Sequence, residues 1–438
     1  MTNRRLNAIA EIARKLVRRT GWGLGDQAFS SLTNVALGLM IARSVSAQDF
    51  GAFSLAYATY TLCLGFSRAV NAEPLIVRFS NSSLEAWRSA AASATGTAIL
   101  LGLIAGAGCV TFGLATSGPL ADSIVALGMT LPGLLLQDTW RYAFFARGSG
   151  RSAFLNDLAW ALIMFPSILV LVATQHTSIG WLTLGWGGSG AAAGLLGILQ
   201  TKIRPRSSLT RRWLQGQSDL ASRYLGEFAA MSGARQVSFY AVGAIAGLQA
   251  AGAIRGSQML LGPIQVLQNG LRLVAIPEAV RVSKQPEGRL QRACNILALS
   301  LSSMAVLWGI LILCIPDRLG QDLLGETWRA AHAVVLPLTF VMAGGGITMS
   351  SVVGLRALAA AQRSLGARLL VSLFQVSGTI IGAFLAGATG AAWGLAFGVW
   401  CGIPVWQWQF RKALGEHKRV IDESDRISSI SPEVAPAG

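Results

Sequence analysis

Long apolar runs recur along almost the whole chain and are separated only by short polar breaks. A helix that spans a bilayer needs about 20 mostly apolar residues, and twelve windows of this kind can be read. Only 13% of the residues are charged, whereas a soluble globular chain has about 25%. These features disfavour a water-soluble enzyme. They predict an all-α, polytopic membrane protein.

The twelve windows divide the chain into two halves of six helices each. They lie at residues 22–44, 50–70, 89–115, 121–145, 152–174, 178–201, 222–246, 249–280, 291–315, 332–355, 365–386 and 389–411. The predicted organisation is a basic amphipathic segment (1–20), a first bundle (21–201), a basic linker (202–219), a second bundle (220–412) and a disordered tail (413–438).

The positions of the basic residues predict the orientation of the chain. Of the 36 Lys and Arg, 30 flank one set of alternating connections and 4 flank the other, while Arg235 and Arg272 fall inside predicted spans. Cytoplasmic loops carry such an excess, so both termini are predicted to be cytoplasmic. The formal charge of +16 does not indicate nucleic-acid binding, because the basic residues lie in short connections rather than in one folded module.

Other kinds of chemistry find little support in the sequence. The five cysteines are far apart and lack metal-ligand or disulfide spacing, and no phosphate-binding Gly-rich loop follows a strand. We therefore predict no cofactor. The connections on the outer side are short, which leaves no room for an external catalytic domain.

An internal repeat relates the two halves. Residues 24–28 (LGDQA) match 225–229 (LGEFA) at an offset of 201, and 48–52 (QDFGA) match 249–253 (QAAGA) at the same offset. With two residues inserted, 72–78 and 275–281 share the pattern A-x-P-x-x-V-R. Six spans per half give both halves the same orientation. Such parallel repeats occur in transporters that rock two bundles around a central site.

Polar side chains lie within the predicted spans at positions that the repeat makes equivalent. Asp26 corresponds to Glu227, and Asn34 corresponds to Arg235. Two stripes each share one helical face: Gln27, Ser30, Ser31 and Asn34 in the first span, and Gln258, Gln265, Asn269 and Arg272 in the eighth. The stripes predict either the walls of a hydrated cleft or hydrogen bonds that hold helices together.

Arginines inside a span are costly and normally face a cavity or a partner. Arg235 and Arg272 have no acidic partner nearby in the sequence, and Arg68 and Arg255 are weaker candidates nearer span ends. Since the guanidinium fork matches phosphate oxygens, these residues predict a phosphate-bearing substrate.

The acidic residues in spans allow two interpretations. Asp138 and Arg141, and Arg223 and Glu227, have spacings that allow local ion pairs. Asp157 has no such neighbour. Asp26, Asp157 and Glu227 are therefore candidates for coupling transport to an ion.

Several segments resemble the Wzx-like polysaccharide and O-antigen flippases. These segments are residues 25–34 (GDQAFSSLTN), 47–53 (AQDFGAF), 73–77 (EPLIV) and 250–258 (AAGAIRGSQ) with 261–263 (LGP). This polysaccharide transporter family belongs to the multidrug/oligosaccharidyl-lipid/polysaccharide superfamily. Proteins like the lipid II flippase MurJ have an Arg-Asp pair in the first helix, whereas Gly25 precedes Asp26 here.

The resemblance implies that the chain moves an undecaprenyl-diphosphate-linked oligosaccharide across the cytoplasmic membrane of a bacterium. It also implies a cationic cavity between two six-helix bundles, and as partners membrane lipids, a polysaccharide polymerase and export machinery. Arg235 and Arg272 fit that cavity by position. Two alternatives stay open: a MATE-like cation-coupled drug exporter, and a membrane-embedded polysaccharide polymerase or ligase.

Overall fold

The computed structural model describes residues 25–26, 28–283 and 288–430, with the side chains of all of these except 231, 272–274, 361 and 420–430. Every regular element within these ranges is helical, which confirms the all-α prediction. The predicted segment 1–20 and Gln27 lie outside the described residues.

The helices follow one another with short connections. They are α1 (28–44), α2 (Ala47–Ser67), α3 (Glu73–Phe79), α4 (Leu84–Leu114), α5 (Pro119–Ala146), α6 (Gly150–Ala173), α7 (Ile179–Thr201), α8 (Thr210–Ala246), α9 (Leu248–Leu260), α10 (Gly262–Ser283), α11 (Arg289–Leu313), α12 (Asp317–Leu324), α13 (Thr327–Ala357) and α14 (Ala361–Ile430). As far as its residues are described, each predicted span falls on a helix, on part of one or on a helix pair.

Seven of the described helices are long and apolar enough to cross a membrane, or eight if α9 and α10 form one broken span. Helix α14 counts once among them, although its backbone leaves the helical region at Ala386 and Gly387. The chain is therefore a multi-pass membrane protein. Helix α9 begins at Leu248, 201 residues after α2 begins at Ala47, which is the offset of the sequence repeat.

The chain forms two compact units. The first comprises the described residues up to Gly256 together with Asp317–Ala331, and the second comprises Ser257–Pro316 and residues 332–430. In the first unit α5 is the central helix, because it packs against α2, α4, α6 and α7. Its side chains Leu127 and Leu131 are completely buried.

A π-helical turn, Arg68–Ala72, joins α2 to α3. Pro74 lies in the first turn of α3, and proline has no N–H and clashes with the carbonyl four residues earlier. The wider turn relieves this conflict and turns Asn71 inward. Asn71 is completely buried and donates a hydrogen bond from Nδ2 to the Ala94 carbonyl at 2.7 Å. Such turns are frequent at functional sites.

In the second unit, α14 folds back on itself. Gly387 has φ 57° and ψ −134°, a conformation that favours glycine. The two halves then pack closely, since a Cβ atom on Gly382 would lie 2.0 Å from the Gly390 carbonyl oxygen. This reversal separates the predicted spans 365–386 and 389–411.

The structure corrects two details of the sequence prediction. The window 249–280 is not one continuous helix, because α9 ends at Leu260 and α10 begins at Gly262, directly before Pro263. Gln258 therefore does not share a continuous helical face with Gln265. The tail predicted as disordered from residue 413 is helical to Ile430.

The first turns of this helical extension are held by contacts within the second unit. Ala413 is buried beside Phe410 in an apolar cluster, and Arg363 forms an ion pair with Glu416. These contacts explain why the helix continues beyond the predicted end of the last span.

Helices α4 and α5 approach each other through glycine, and this gives a stability prediction. A Cβ atom on Gly106 would lie 2.4 Å from the Gly128 carbonyl oxygen, whereas nothing lies within 4 Å of one on Gly108. We expect Gly106→Ala to lower the free energy of unfolding by about 1–3 kcal/mol, because the helices must separate. Gly108→Ala, the matched control on the same helix, should be neutral or stabilising. Equal unfolding curves for the two variants in detergent would contradict the close approach.

Candidate functional site

A buried group of charged and amide side chains surrounds the second half of α5 in the first unit. We term it the α5 charge cluster. It consists of Asp26, Arg68, Gln137, Asp138, Arg141, Asn156 and Asp157. Because Gln137, Asp138 and Arg141 lie about one turn apart on α5, one helix brings together partners from the π-helical turn after α2, from α6 and from the start of the described chain.

Arg141 is the centre of one half of the cluster. Its Nε donates a hydrogen bond to Asp26 Oδ2 at 2.8 Å, and its Nη2 also bonds to that oxygen. The same Nε lies 3.3 Å from Asp157 Oδ2. The side chain of Arg141 is 12% exposed and that of Asp26 is fully buried. One guanidinium thus serves two buried carboxylates.

Arg68 and Asp138 form the second ion pair. The guanidinium binds the carboxylate with both arms, Nε to Oδ2 at 2.9 Å and Nη2 to Oδ1 at 2.6 Å. It also lies over the ring of Tyr142, 5.3 Å from the ring centroid. Two-armed pairing of this kind fixes geometry as well as charge, so the positive charge of Arg68 is neutralised inside the protein.

Amide side chains connect the cluster to α6 and α7. Gln137 donates from Nε2 to Asp157 Oδ1 at 2.7 Å and to Asn156 Oδ1 at 3.2 Å. Asn156 in turn donates from Nδ2 to the Ala193 carbonyl at 2.9 Å and to Gln200 Oε1 at 3.1 Å. This network holds Asp157 beside the ion pair of Arg141 and Asp26.

The cluster carries an excess of negative charge. When ionised, its three carboxylates (Asp26, Asp138 and Asp157) outnumber its two guanidiniums (Arg68 and Arg141). Among the described residues, Asp26 Oδ1 has no hydrogen-bond partner although it is buried. Asp157, which shares Arg141 with Asp26, lies seven residues after the start of α6, about 10 Å inside the helix. An unbalanced carboxylate at that depth favours binding of a proton or small cation.

These contacts contradict the local pairs that the sequence allowed. Asp138 pairs with Arg68 rather than with Arg141, and Asp157 does have an arginine partner. In the part of the chain that the structure describes, no ion pair joins Arg223 and Glu227. Pairing within one helix was wrong because the side chains of α5 point to neighbouring helices, where more distant residues meet them.

Arg255 has a different environment from the paired arginines. It lies on α9, which crosses α2 closely at Gly51. Its guanidinium is over the ring of Tyr57, 4.6 Å from the centroid. Tyr57 is the eleventh of the 21 residues of α2, so this charge lies level with the middle of α2, deeper than the sequence indicated. No carboxylate pairs with Arg255 within the described ranges.

Arg235 is exposed on α8 and, among described residues, has no hydrogen-bond or ion-pair partner. The next residue, Gln236, anchors α8 to α2 by donating from Nε2 to Thr61 Oγ1 at 2.9 Å. Because Tyr57 and Thr61 lie one turn apart on α2, Arg255 and the anchor of α8 contact neighbouring turns of the same helix.

For the other predicted site residues, the structure shows their location and burial but few contacts. Asn34 is half-buried on α1, and Gln265 and Asn269 are exposed on α10. The side chain of Arg272 and all of Gln27 lie outside the described parts. Glu227 is exposed on α8. Burial, followed by the negative charge of Glu227, raises the pKa of Glu73 at the start of α3, and Arg68 opposes this shift.

Sequence reasoning missed Arg141, Gln137 and Asn156 as site residues. A signal was present, because Gln137, Asp138 and Arg141 form a polar stripe inside an apolar span, as Asn156 and Asp157 do in the next. Tyr57 was also missed, since a single tyrosine in an apolar helix gives no sign of the cation above it.

Comparison with solved structures identifies the fold. The chain is similar to an inward-facing multidrug-resistance MATE-family transporter of the MOP superfamily, with a TM-score of 0.68 at 12% identity over 89% of this chain and 96% of that one. It is also similar to the lipid II flippase MurJ in an inward closed conformation, with a TM-score of 0.65 at 13% identity over 94% and 93% of the two chains.

A third similar structure is a MOP-superfamily transporter from Pyrococcus furiosus, described by the reverse polarity of its binding pocket, with a TM-score of 0.53 at 14% identity over 92% and 95% of the two chains. The chain therefore has the fold of MOP-superfamily transporters. No protein-family model matches it, and no curated sequence matches it significantly.

Proposed function

We propose that this protein is a transporter that moves an undecaprenyl-diphosphate-linked oligosaccharide from the inner to the outer face of the bacterial cytoplasmic membrane by alternating access. Both termini then lie in the cytoplasm, and the glycan is passed to polysaccharide polymerase and export machinery. The similarity to a lipid II flippase supports a lipid-linked substrate.

The position of Arg255 carries this proposal. Residues 50–70 form a predicted span, and a guanidinium level with the middle of a span is costly unless an anion or a cavity accompanies it. The ring of Tyr57 provides a cation–π contact but no negative charge, and the described residues supply no carboxylate. A substrate phosphate would supply the missing charge.

The contrast with the α5 charge cluster sharpens this argument. Arg68 and Arg141 are each bound to aspartates, so neither charge is free for a substrate. Arg235 and Arg255 have no such partners in the described structure. The four arginines thus divide into two that hold helices together and two that are available to a diphosphate, whose oxygens match the guanidinium fork.

In the proposed cycle the diphosphate binds Arg255 and Arg235 while the site is open to the cytoplasm. The transporter then closes on that side and opens outward, while the lipid tail stays in the bilayer. The substrate must bind the two states with different affinity, because equal affinity shifts no equilibrium. A membrane potential negative inside favours outward movement of an anion by ~2.3 kcal/mol per charge per 100 mV.

The α5 charge cluster provides the coupling site in this proposal. Its unbalanced carboxylate binds a proton or a sodium ion at Asp26 and Asp157, on either side of Arg141. Release of that cation changes the net charge of the cluster by one unit. Such a change in a buried site biases how the surrounding helices pack.

A transport assay in proteoliposomes tests the substrate proposal. We expect Arg235→Ala and Arg255→Ala together to slow flipping of an undecaprenyl-diphosphate oligosaccharide at least tenfold, because each charged hydrogen bond to phosphate is worth about 1.5–3 kcal/mol. Arg255→Lys should retain part of the rate. Arg318→Ala, an exposed arginine on α12, is the matched control and should leave the rate unchanged.

A normal rate for the double variant would remove both arginines from the mechanism. To separate this from misfolding, insertion and thermal unfolding of each variant are measured in parallel. If the intact protein moves no lipid-linked oligosaccharide, the proposed substrate is wrong.

The second candidate function is a cation-coupled exporter of cationic drugs. It is favoured by the negative excess of the α5 charge cluster and by the similarity to a MATE-family transporter. Export of a cationic dye from proteoliposomes under an ion gradient would support it. The two functions predict opposite substrate charges, so one pair of assays separates them.

A further inference from the structure

The segment 202–219 comprises the connection between α7 and α8 and the first turns of α8, and it is built into the first unit. Ile203 and Trp213 are buried in an apolar cluster that includes Trp87. The ring of Trp213 stacks on Phe79 with the centroids 5.8 Å apart. The Arg206 N–H donates to the Ala92 carbonyl at 2.8 Å. This segment is therefore a fixed surface feature rather than a loose connection.

Five basic side chains project from this scaffold. Lys202, Arg204, Arg206, Arg211 and Arg212 are all exposed. No ion pair involves any of them in the described part of the chain. The only acidic residue in the segment, Asp219, is already bound by Arg78, whose Nη2 donates to Oδ1 at 2.7 Å and to Oδ2 at 2.6 Å. The positive charge of this face is thus not neutralised by the protein.

Two further arginines extend the same surface. Arg88, exposed near the start of α4, donates from Nη2 to the Thr201 carbonyl at the end of α7. Arg147, exposed at the end of α5, lies over the ring of Trp87, 5.8 Å from the centroid. These contacts place both guanidiniums beside the segment 202–219. We term the seven side chains together the basic face.

The ends of helices that span a membrane lie at the depth of lipid headgroups. Helices α4, α5 and α7 are each long and apolar enough to span the membrane. The basic face is formed where these three spans end. Tryptophans at this level, such as Trp87 and Trp213, are typical of the membrane interface.

We propose that the basic face binds the headgroups of anionic phospholipids in the leaflet that it faces, which the charge pattern predicts to be the cytoplasmic one. Juxtamembrane clusters of Lys and Arg attract anionic lipids. Here the side chains are held by a packed scaffold, so several headgroups bind side by side. This inference does not depend on the transported substrate, because none of these residues lies in the proposed transport path.

Native mass spectrometry of the full-length protein tests the proposal, with phosphatidylglycerol and phosphatidylcholine as probes. We expect the intact protein to bind phosphatidylglycerol more tightly. The triple variant Arg204→Ala, Arg211→Ala and Arg212→Ala should weaken this binding about 100-fold. Replacement of the same three residues by Lys should retain most of it. Raised salt should weaken binding to the intact protein, because exposed charges are screened.

The matched control removes three exposed arginines from elsewhere, Arg43→Ala, Arg318→Ala and Arg329→Ala, and should bind phosphatidylglycerol as the intact protein does. Unfolding temperatures of both triple variants confirm that each is folded. Equal phosphatidylglycerol binding by the intact protein and the basic-face triple alanine variant overturns the proposal. So does competition by inorganic phosphate at concentrations similar to those of the lipid, since that result would indicate a site for free anions.

Discussion

Replacing Arg141 by methionine should destabilise the protein by about 3–5 kcal/mol, since removal of one partner from a buried ion pair leaves an uncompensated charge. Here two carboxylates lose their only described guanidinium, because Asp26 and Asp157 both depend on Arg141. Asp26 is completely buried and has no other described partner for its second oxygen. The free energy of unfolding in detergent measures this effect.

The control is Arg147→Met, at the residue that directly follows the same helix. Arg147 is exposed and contacts only the ring of Trp87 in the described structure, so its loss should cost no more than about 1 kcal/mol. Adding Asp26→Asn and Asp157→Asn to Arg141→Met should restore part of the stability, because the buried negative charges are then removed together. If Arg141→Met and Arg147→Met unfold alike, the ion pairs do not stabilise the first unit.

Much of the fold follows from patterns that are local in sequence. Apolar windows of helical length locate the helices, and the repeat at an offset of 201 anticipates that α9 corresponds to α2. The errors in the predicted helices also concern single positions in the sequence. Pro263 follows the break between α9 and α10, but the same residue type inside α5, Pro132, does not end that helix. Whether a proline breaks a helix depends on the packing around it, which one sequence does not specify.

The candidate site was predictable only in its composition. Polar and charged residues inside apolar spans indicate a functional interior, and Asp26, Asp157 and Arg68 were identified in this way. Their partners were not, because Arg68 and Asp138 are 70 residues apart and Asp26 and Arg141 are 115 apart. Spacing rules within one helix cannot predict ion pairs between residues on different helices. They depend on which helices pack against α5.

The division of the arginines has a physical consequence for the proposed transport cycle. Paired charges such as Arg68–Asp138 cost free energy to separate in a medium of low dielectric constant, so they resist rearrangement. The unpaired Arg255 forms only the contact with Tyr57, which is weaker. In the proposed cycle a diphosphate would therefore recruit Arg255 without breaking an ion pair, and the helices around α5 would keep their arrangement while it binds.

Asp157→Asn should abolish the stimulation of transport by an ion gradient while leaving the protein folded. The variant keeps a hydrogen-bonding side chain beside Gln137 but removes one negative charge, so the α5 charge cluster holds two carboxylates and two guanidiniums. A balanced cluster has no need of a bound cation, because the excess negative charge is gone. Flipping rates are measured in proteoliposomes with an imposed proton gradient and, separately, with a sodium gradient.

The membrane potential is held at zero in both experiments, because the proposed anionic substrate would itself respond to it. Asp322→Asn, an exposed position on α12, is the matched control and should retain the full response. Asp26→Asn should behave as Asp157→Asn does, since both carboxylates share Arg141. A gradient response that survives both asparagine substitutions would move the coupling site out of the α5 charge cluster, and Glu227 beside Glu73 would then be the next pair of carboxylates to substitute.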